Sequence, residues 1–337
     1  MSTQSKYRLL IIFFMIFISR VSFAQALPHL RISTENNASH VQTRVVQMFV
    51  DRLSEKLRGK LEVELYHSAE LFRDSNVVKA IADGKVQMAV PGTWQIDKFE
   101  PNVGLFLLPM FYGRDAEVNY TLRDGEVGQA INQKIGETLG VKVIGRWIDL
   151  GYAHLYGVKH KINSYEDLVG MSVRIAGGDA NALRIEALGA SPRVVPWPDL
   201  PQALKHGNID GILTTHATIV SANLWEKGVD SAFEDKEYFA QYVPMVSQRF
   251  WNRIPQETQQ AIKEAWESVI EESRLMAVKT QQDAYATLKE NGVRIVTPSA
   301  EDRAKHRKIM MLNQPALVKK LGIAPFLVEK TLIQLNK

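Results

Sequence analysis

The feature that most constrains this 337-residue chain is a β-α-β-α-β unit that it contains twice. In the first copy Leu30–Ser33 reads as a strand. Val41–Leu57 reads as an amphipathic helix, with Val45, Val46, Phe49, Val50 and Leu53 at 3.6-residue spacing behind Ser39 as N-cap. Leu61–Tyr66 alternates with period 2, Val77–Ala82 is helical up to Gly84, and Val86–Val90 is the next strand. The second copy runs as strand Met171–Ile175, helix Asn181–Leu188 ended by Gly189, strand Pro192–Val195, helix Leu200–His206 ended by Gly207, and strand Ile209–Leu213. Ala80-Ile81-x-x-Gly84-x-Val86-Gln87-x-x-Val90 matches Ala203-Leu204-x-x-Gly207-x-Ile209-Asp210-x-x-Leu213 in residue type, 123 residues apart. Units of this kind bury parallel strands under crossing helices, so the expected fold class is α/β, with two similar lobes in tandem.

Two other stretches complete the plan. Pro255–Glu290 has no glycine and no second proline, and as one helix would span about 54 Å, enough to lie across both lobes. Ala300–Leu312 and Ala324–Leu335 read as helices packing back onto the body, with Pro315 in the break between them. At the other end, residues 1–26 read as a secretory signal: Lys6 and Arg8, the ten-residue apolar run Leu9–Ile18, then small-x-small sites at Ala24 and Ala26. Ten residues are too few for a bilayer core, which needs roughly 20. Export removes Lys6, Arg8 and Arg20, three cations and no anion, so the net charge of +4 falls to +1. A nearly neutral chain lacks a nucleic-acid footprint. The absence of cysteine removes disulfides, thiolate metal sites and lipid attachment, which fits a Gram-negative periplasm. HExxH, Walker A, GxSxG and GxGxxG are all absent.

Ligands of open α/β sheets bind beyond the carboxyl ends of the strands, and two facing lobes place those ends around a cleft. The loops to inspect are therefore Ser33–Asn37 (with Glu35 and Asn36), Pro91–Gln95 (with Thr93 and Trp94), Arg174–Asp179 (with Gly177), Pro196–Pro198 around Trp197, and Thr214-Thr215-His216. Arg174 stands among apolar strand residues, where a charge needs a partner. Its planar fork suits a carboxylate, and the other reading is a sheet-edge ion pair with Asp179. Trp197 and Trp94 are stacking platforms or core. His154 and His216 read as polar lining or surface, because no second metal ligand stands at a usual spacing; no metal or cofactor is expected.

At these residues the chain resembles the solute-binding proteins of tripartite ATP-independent periplasmic (TRAP) transporters, DctP type. Three stretches carry the likeness: Asn163–Ile175 with its Asp-Leu-x-Gly…Arg174-Ile core; Leu188-Gly189-Ala190-Ser191-Pro192 through Trp197 to Ala203…Asp210-Gly211; and Val243–Asn252 with Phe250-Trp251. The resemblance implies the two-lobed periplasmic-binding-protein fold with an interdomain cleft and a long crossing helix. Lobe I would be residues 27–150 with about 240–275, and lobe II 151–239 with about 276–337 and the C-terminal helices. It implies capture of an organic acid by Arg174, stacking by Trp197, and delivery to small and large membrane permease subunits; closure is expected as a hinge motion, with crossing strands near Leu150 and Ala240 taking up the rotation. Thr214 stands where the family has an asparagine contact. Ala153, within Gly151-Tyr152-Ala153-His154-Leu155, stands where it often has a second arginine, and Tyr152 and His154 flank that position. With one cation matched and Arg73 only a reserve at the mouth, a monocarboxylate (a sugar acid, 2-oxo acid or aromatic acid) fits better than a dicarboxylate. The rival readings are an enzyme using Glu35 or Asp179 with His216, a sensory binding domain, and an ATP-driven uptake receptor.

Overall fold

The computed structural model describes residues 27–336; the leader expected over residues 1–26 lies outside them. Its strands are β1 (His29–Ser33), β2 (Glu62–Tyr66), β3 (Met88–Ala89), β4 (Val141–Val143), β5 (Ile148–Val158), β6 (Ser172–Ile175), β7 (Ser191–Val194), β8 (Gly211–Thr214), β9 (Val229–Tyr242), β10 (Met245–Ser247) and β11 (Arg294–Val296). They form two sheets, ordered β2-β1-β3-β10-β4 and β11-β9-β5-β8-β6-β7. The tandem unit is present in both. In each, the first strand lies between the other two and pairs in parallel with them, β2-β1-β3 and β7-β6-β8. The two matched glycines adopt the same left-handed turn, at φ 73° for Gly84 and 72° for Gly207. That conformation after a helix is open to a residue without Cβ.

Local chemistry accounts for the elements and for several departures from expectation. Helix Val41–Lys56 turns Val45, Val46, Phe49 and Leu53 inward, all fully buried. Its N-cap is His40 rather than Ser39: the His40 ring accepts from the Gln42 N–H at 3.2 Å, while Ser39 Oγ donates to Asn37 Oδ1. The expected 36-residue helix is two, Gln256–Ser268 and Ile270–Glu290, meeting at Val269. At the join Arg52 donates to the Ser268 carbonyl and Ser268 Oγ to the Ala265 carbonyl, drawing acceptors out of the helical ladder. The first segment packs on helix Val41–Lys56, with Trp266 edge-on to Phe49 at 5.3 Å, and the second packs on β5. The pair therefore does lie along both sheets.

In the tail, Pro315 sits in the first turn of helix Gln314–Leu321 rather than in a break, a place where its missing N–H is not needed. Helix Pro325–Leu335 packs on helices Ala116–Asp124 and Glu126–Leu139, on the first sheet's side, although the tail was expected to go with the second lobe; Gln314–Leu321 does touch helix Asp179–Ala187 of the second. β5 and β9, 11 and 14 residues long, contain the crossing strands expected near Leu150 and Ala240, for which the sequence set no bounds; they pair antiparallel with register shifts at Asp149/Gly151 and Ala153/Leu155, among others. These strands carry the chain between the sheets. It crosses through residues 144–147 from β4 to β5, through 243–244 from β9 to β10, and again at the Val269 join.

Candidate functional site

The carboxyl ends of β1, β2 and β3 face those of β6, β7 and β8 across a cavity of about 50 Å³. Glu35 and Asn36 follow β1, Asp74 stands beyond β2, and Trp94 and Gln95 follow β3. From the other side come Arg174 and Ala176 at the end of β6, Asn181, Trp197 beyond β7, and Thr214, Thr215 and Thr218 around the end of β8. Leu150 and Ala153 of β5 and Tyr238, Ala240 and Tyr242 of β9 close the remaining wall.

Arg174 is the only cation among the described residues lining this space. It is 2% exposed, its Nε donates to the Val195 carbonyl at 2.9 Å, and its Nη2 is buried with no hydrogen-bond partner. No ion pair with Asp179 forms among the described residues, so the sheet-edge alternative is not what the structure shows. Burial pulls the guanidinium down to about 10, opposed by the field of Asp74. A fixed guanidinium edge with an unused donor is a receptor for a carboxylate, because an incoming anion both pairs the charge and takes the free N–H. The Trp197 ring centroid lies 6.0 Å from the Arg174 guanidinium carbon, and the Trp197 backbone N–H donates to Asp74 Oδ2 at 2.8 Å.

The opposite wall is polar and acidic. Burial pushes the Glu35 carboxyl up to about 7, although Gln42 donates to it at 3.0 Å. Asn36 donates to Gln42 and to the Tyr242 hydroxyl, at 2.7 and 3.1 Å. Trp94 meets Tyr242 and Tyr238 edge-on at 5.2 and 6.3 Å, and its buried Nε1 has no partner. Gln95 Oε1 and Asn181 Oδ1 are likewise buried without hydrogen bonds. Unused donors and acceptors thus face one space, the arrangement expected where a polyfunctional guest supplies the partners.

Of the residues singled out from sequence, Arg174, Trp197, Thr214, Thr215, Glu35, Asn36 and Trp94 line this cavity. Thr93 and Gly177 stand behind it: Thr93 reaches the Tyr238 hydroxyl at 3.4 Å, and a Cβ on Gly177 would come within 3.3 Å of the Trp94 carbonyl. Tyr152, His154 and His216 do not line it. They lie in a second cavity on the other face of the β5–β9 ribbon: Tyr152 and His154 because neighbours of Ala153 along a strand point away from it, and His216 from the start of the helix that follows β8. Ala153 itself lines the ligand cavity, where its methyl brings no charge. Arg73 is exposed at the rim and pairs with Asp199 at 2.6 Å. Sequence reasoning missed Asp74, Asn181, Thr218, Tyr238 and Tyr242, and Gln95 stands inside the marked loop Pro91–Gln95 without being singled out. Asp74 adjoins Arg73, and the two tyrosines sit on a strand expected only as a crossing near Ala240, with no bounds or facing assigned to it.

Residues 32–315 match the family described as bacterial extracellular solute-binding protein, family 7, DctP. The chain belongs to it. It is a TRAP solute-binding protein of DctP type, and its family and structural neighbours are substrate-binding proteins. The C4-dicarboxylate-binding periplasmic protein DctP of Rhodobacter capsulatus is 23% identical over 278 residues, 81% of each chain. A TRAP periplasmic solute-binding protein from Sulfurospirillum deleyianum, solved with bound succinate, superimposes with TM-score 0.81 at 25% identity, covering 90% of this chain and 97% of that one. The sugar-acid-binding protein DctPAm of Advenella mimigardefordensis, solved with galactonate, gives 0.84 at 21% identity, covering 92% and 98%. No helix among the described residues of this DctP-type protein is long and apolar enough to cross a membrane.

Proposed function

We propose that this DctP-type protein is a periplasmic receptor for a hydroxylated monocarboxylate of the sugar-acid kind, which it passes to the small and large permease subunits of a TRAP transporter. The reading is carried by Arg174, which lines the cavity at the end of β6 and whose Nη2 is buried without a partner. One cation serves one carboxylate. The far wall offers Glu35 and Asp74, which repel a second anionic end and accept from hydroxyl groups. Asn36, Gln95, Asn181, three threonines and two tyrosines supply a hydrogen-bonding surface, and Trp197 packs on the carbon skeleton. Among structural neighbours, galactonate in the Advenella protein favours the same class, whereas succinate in the Sulfurospirillum protein marks the alternative. The two sheets with their covering helices are the bodies that close, turning on the crossings at residues 144–147, 243–244 and Val269.

Calorimetric titration with galactonate, gluconate, galacturonate, pyruvate, benzoate and succinate tests this. At least one six-carbon sugar acid binds about tenfold or more tightly than succinate. Succinate binding as tightly as the best sugar acid overturns the monocarboxylate reading, and heat or product from turnover overturns the receptor reading.

A further inference from the structure

The second cavity lies behind the β5–β9 ribbon and is separate from the ligand cavity. Three potential metal ligands converge there. His154 comes from β5, Glu234 from β9 and His216 from the turn that leaves β8, and one donor atom of each lies within 4.8 Å of the other two. Both histidines are 4% exposed. Their rings stand 5.0 Å apart, and His216 Nε2 already meets Glu234 Oε1 at 2.8 Å.

The groups around them orient the set. Tyr156 holds His216 Nδ1 at 2.6 Å, so Nε2, which meets Glu234, is the nitrogen turned to the centre of the cluster. Thr297 donates to Glu234 Oε2, which leaves Oε1 for the centre of the cluster. His154 makes no hydrogen bond among the described residues; its buried Nδ1 lies 3.7 Å from Asp235 Oδ1. Ligating histidines are held by an outer partner on the ring nitrogen away from the metal, the place Tyr156 takes on His216; Asp235 stands on that side of His154 but at 3.7 Å is beyond hydrogen-bond distance. Bonds of about 2.1 Å in a tetrahedron place donors about 3.4 Å apart, so side-chain shifts of roughly 1 Å would close this set. Two imidazoles and one carboxylate favour zinc and its first-row neighbours over calcium or magnesium.

We propose that His154, His216 and Glu234 form a binding site for a divalent transition-metal ion, zinc by preference, with its remaining position open to the second cavity. His216 directly follows Thr214 and Thr215, so the ion fixes the turn that carries two walls of the ligand cavity. All three ligands belong to the second sheet and its loops, so the site adds rigidity to one body without bridging the two.

The test uses tag-free mature protein stripped with a chelator and titrated calorimetrically with zinc chloride, with cobalt(II) as an optical reporter. One equivalent binds, the melting temperature rises, and cobalt gives the intense visible bands of four-coordinate nitrogen and oxygen ligation. His154→Gln and His216→Asn each weaken binding about 100-fold or more, and Tyr156→Phe, which removes only the orienting hydroxyl, weakens it roughly 10- to 100-fold. His29→Gln and His160→Gln, at exposed histidines paired with Glu64 and Asp210, leave it unchanged. Should His216→Asn fail to fold, Glu234→Gln interrogates the same ion from β9. Absence of a one-to-one zinc isotherm, or equal binding by wild type and the His154 and His216 variants, overturns the proposal and leaves His216–Glu234 as a plain ion pair.

Discussion

Arg174 stands with one edge of its guanidinium bound to a carbonyl and part of the other edge unused. Charge-assisted hydrogen bonds contribute about 1.5–3 kcal/mol each, and 1.4 kcal/mol is tenfold in affinity. Arg174→Ala therefore weakens binding of the preferred acid about 100-fold or more in calorimetry. Arg174→Lys recovers little of that, because the charge persists but the fork does not. Glu35 sets the pH response. Its carboxyl is raised from 4.5 to about 7 by burial, so it is neutral at pH 6 and ionised at pH 8. An anionic guest therefore binds more tightly at pH 6 than at pH 8, and Glu35→Gln flattens that slope. For stability the sign is the same. The folded state holds this proton more firmly than the unfolded chain, so the contribution is complete below about pH 4.5 and is lost as pH rises through 7. Asp97, also raised to about 7 by burial, acts in the same direction. His40, pulled down to about 3 by burial, acts in the opposite direction below about pH 6.5, so chemical denaturation of wild type and Glu35→Gln at pH 5 and pH 8 isolates the Glu35 share: the wild type loses more unfolding free energy between the two pH values than the variant does.

At the scale of elements, the helix pair over residues 256–290 is held by packing rather than by its exposed ion pairs. Trp266 is fully buried, meets Phe49 edge-on and donates to the Arg146 carbonyl at 2.8 Å. Trp266→Ala lowers the unfolding free energy by about 3–5 kcal/mol in denaturant titrations, while the affinity of folded protein for its acid changes less than threefold. Elements of this kind were legible because their information is local. Apolar spacing marked helix Val41–Lys56, glycines closed the helices before β3 and β8, and strand ends pointed to the loops that build the cavity. The extent and pairing of the β5–β9 ribbon were not legible, although crossing strands were expected near Leu150 and Ala240. The ribbon's register shifts and the positive φ of 53° at Lys236 break the alternation by which a strand is recognised. The same gap hid the meeting of His154 with His216, which are 62 positions apart. They come together through the antiparallel register that sets His154 opposite Thr214. The break at Val269 escaped notice because its cause, Arg52, lies more than 200 residues earlier.

For the molecule as a whole, contacts across the gap define a closed arrangement. Asp74 accepts from the Trp197 backbone N–H, Arg73 pairs with Asp199, Asn37 donates to the Ser221 carbonyl at 3.3 Å, and Asp97 accepts from the Ala180 N–H at 3.1 Å. Ligand should therefore shrink the protein in solution, read as a fall in radius of gyration by small-angle scattering when the acid is added. Asp199→Ala loosens only an exposed pair, worth about 0–1 kcal/mol, so dissociation accelerates by less than about fivefold. An unchanged radius with saturating acid would contradict the closure. The two-faced ribbon adds one more consequence. Leu150, Ala153, Tyr238, Ala240 and Tyr242 look toward one cavity, and Tyr152, His154, Glu234, Lys236 and Phe239 toward the other. A lineage carrying this scaffold is free to retune its taste for nutrients by single-letter replacement. Gaining or losing one letter within the ribbon would instead swap the two vocabularies wholesale, so diversification here should proceed by spelling changes and never by slippage.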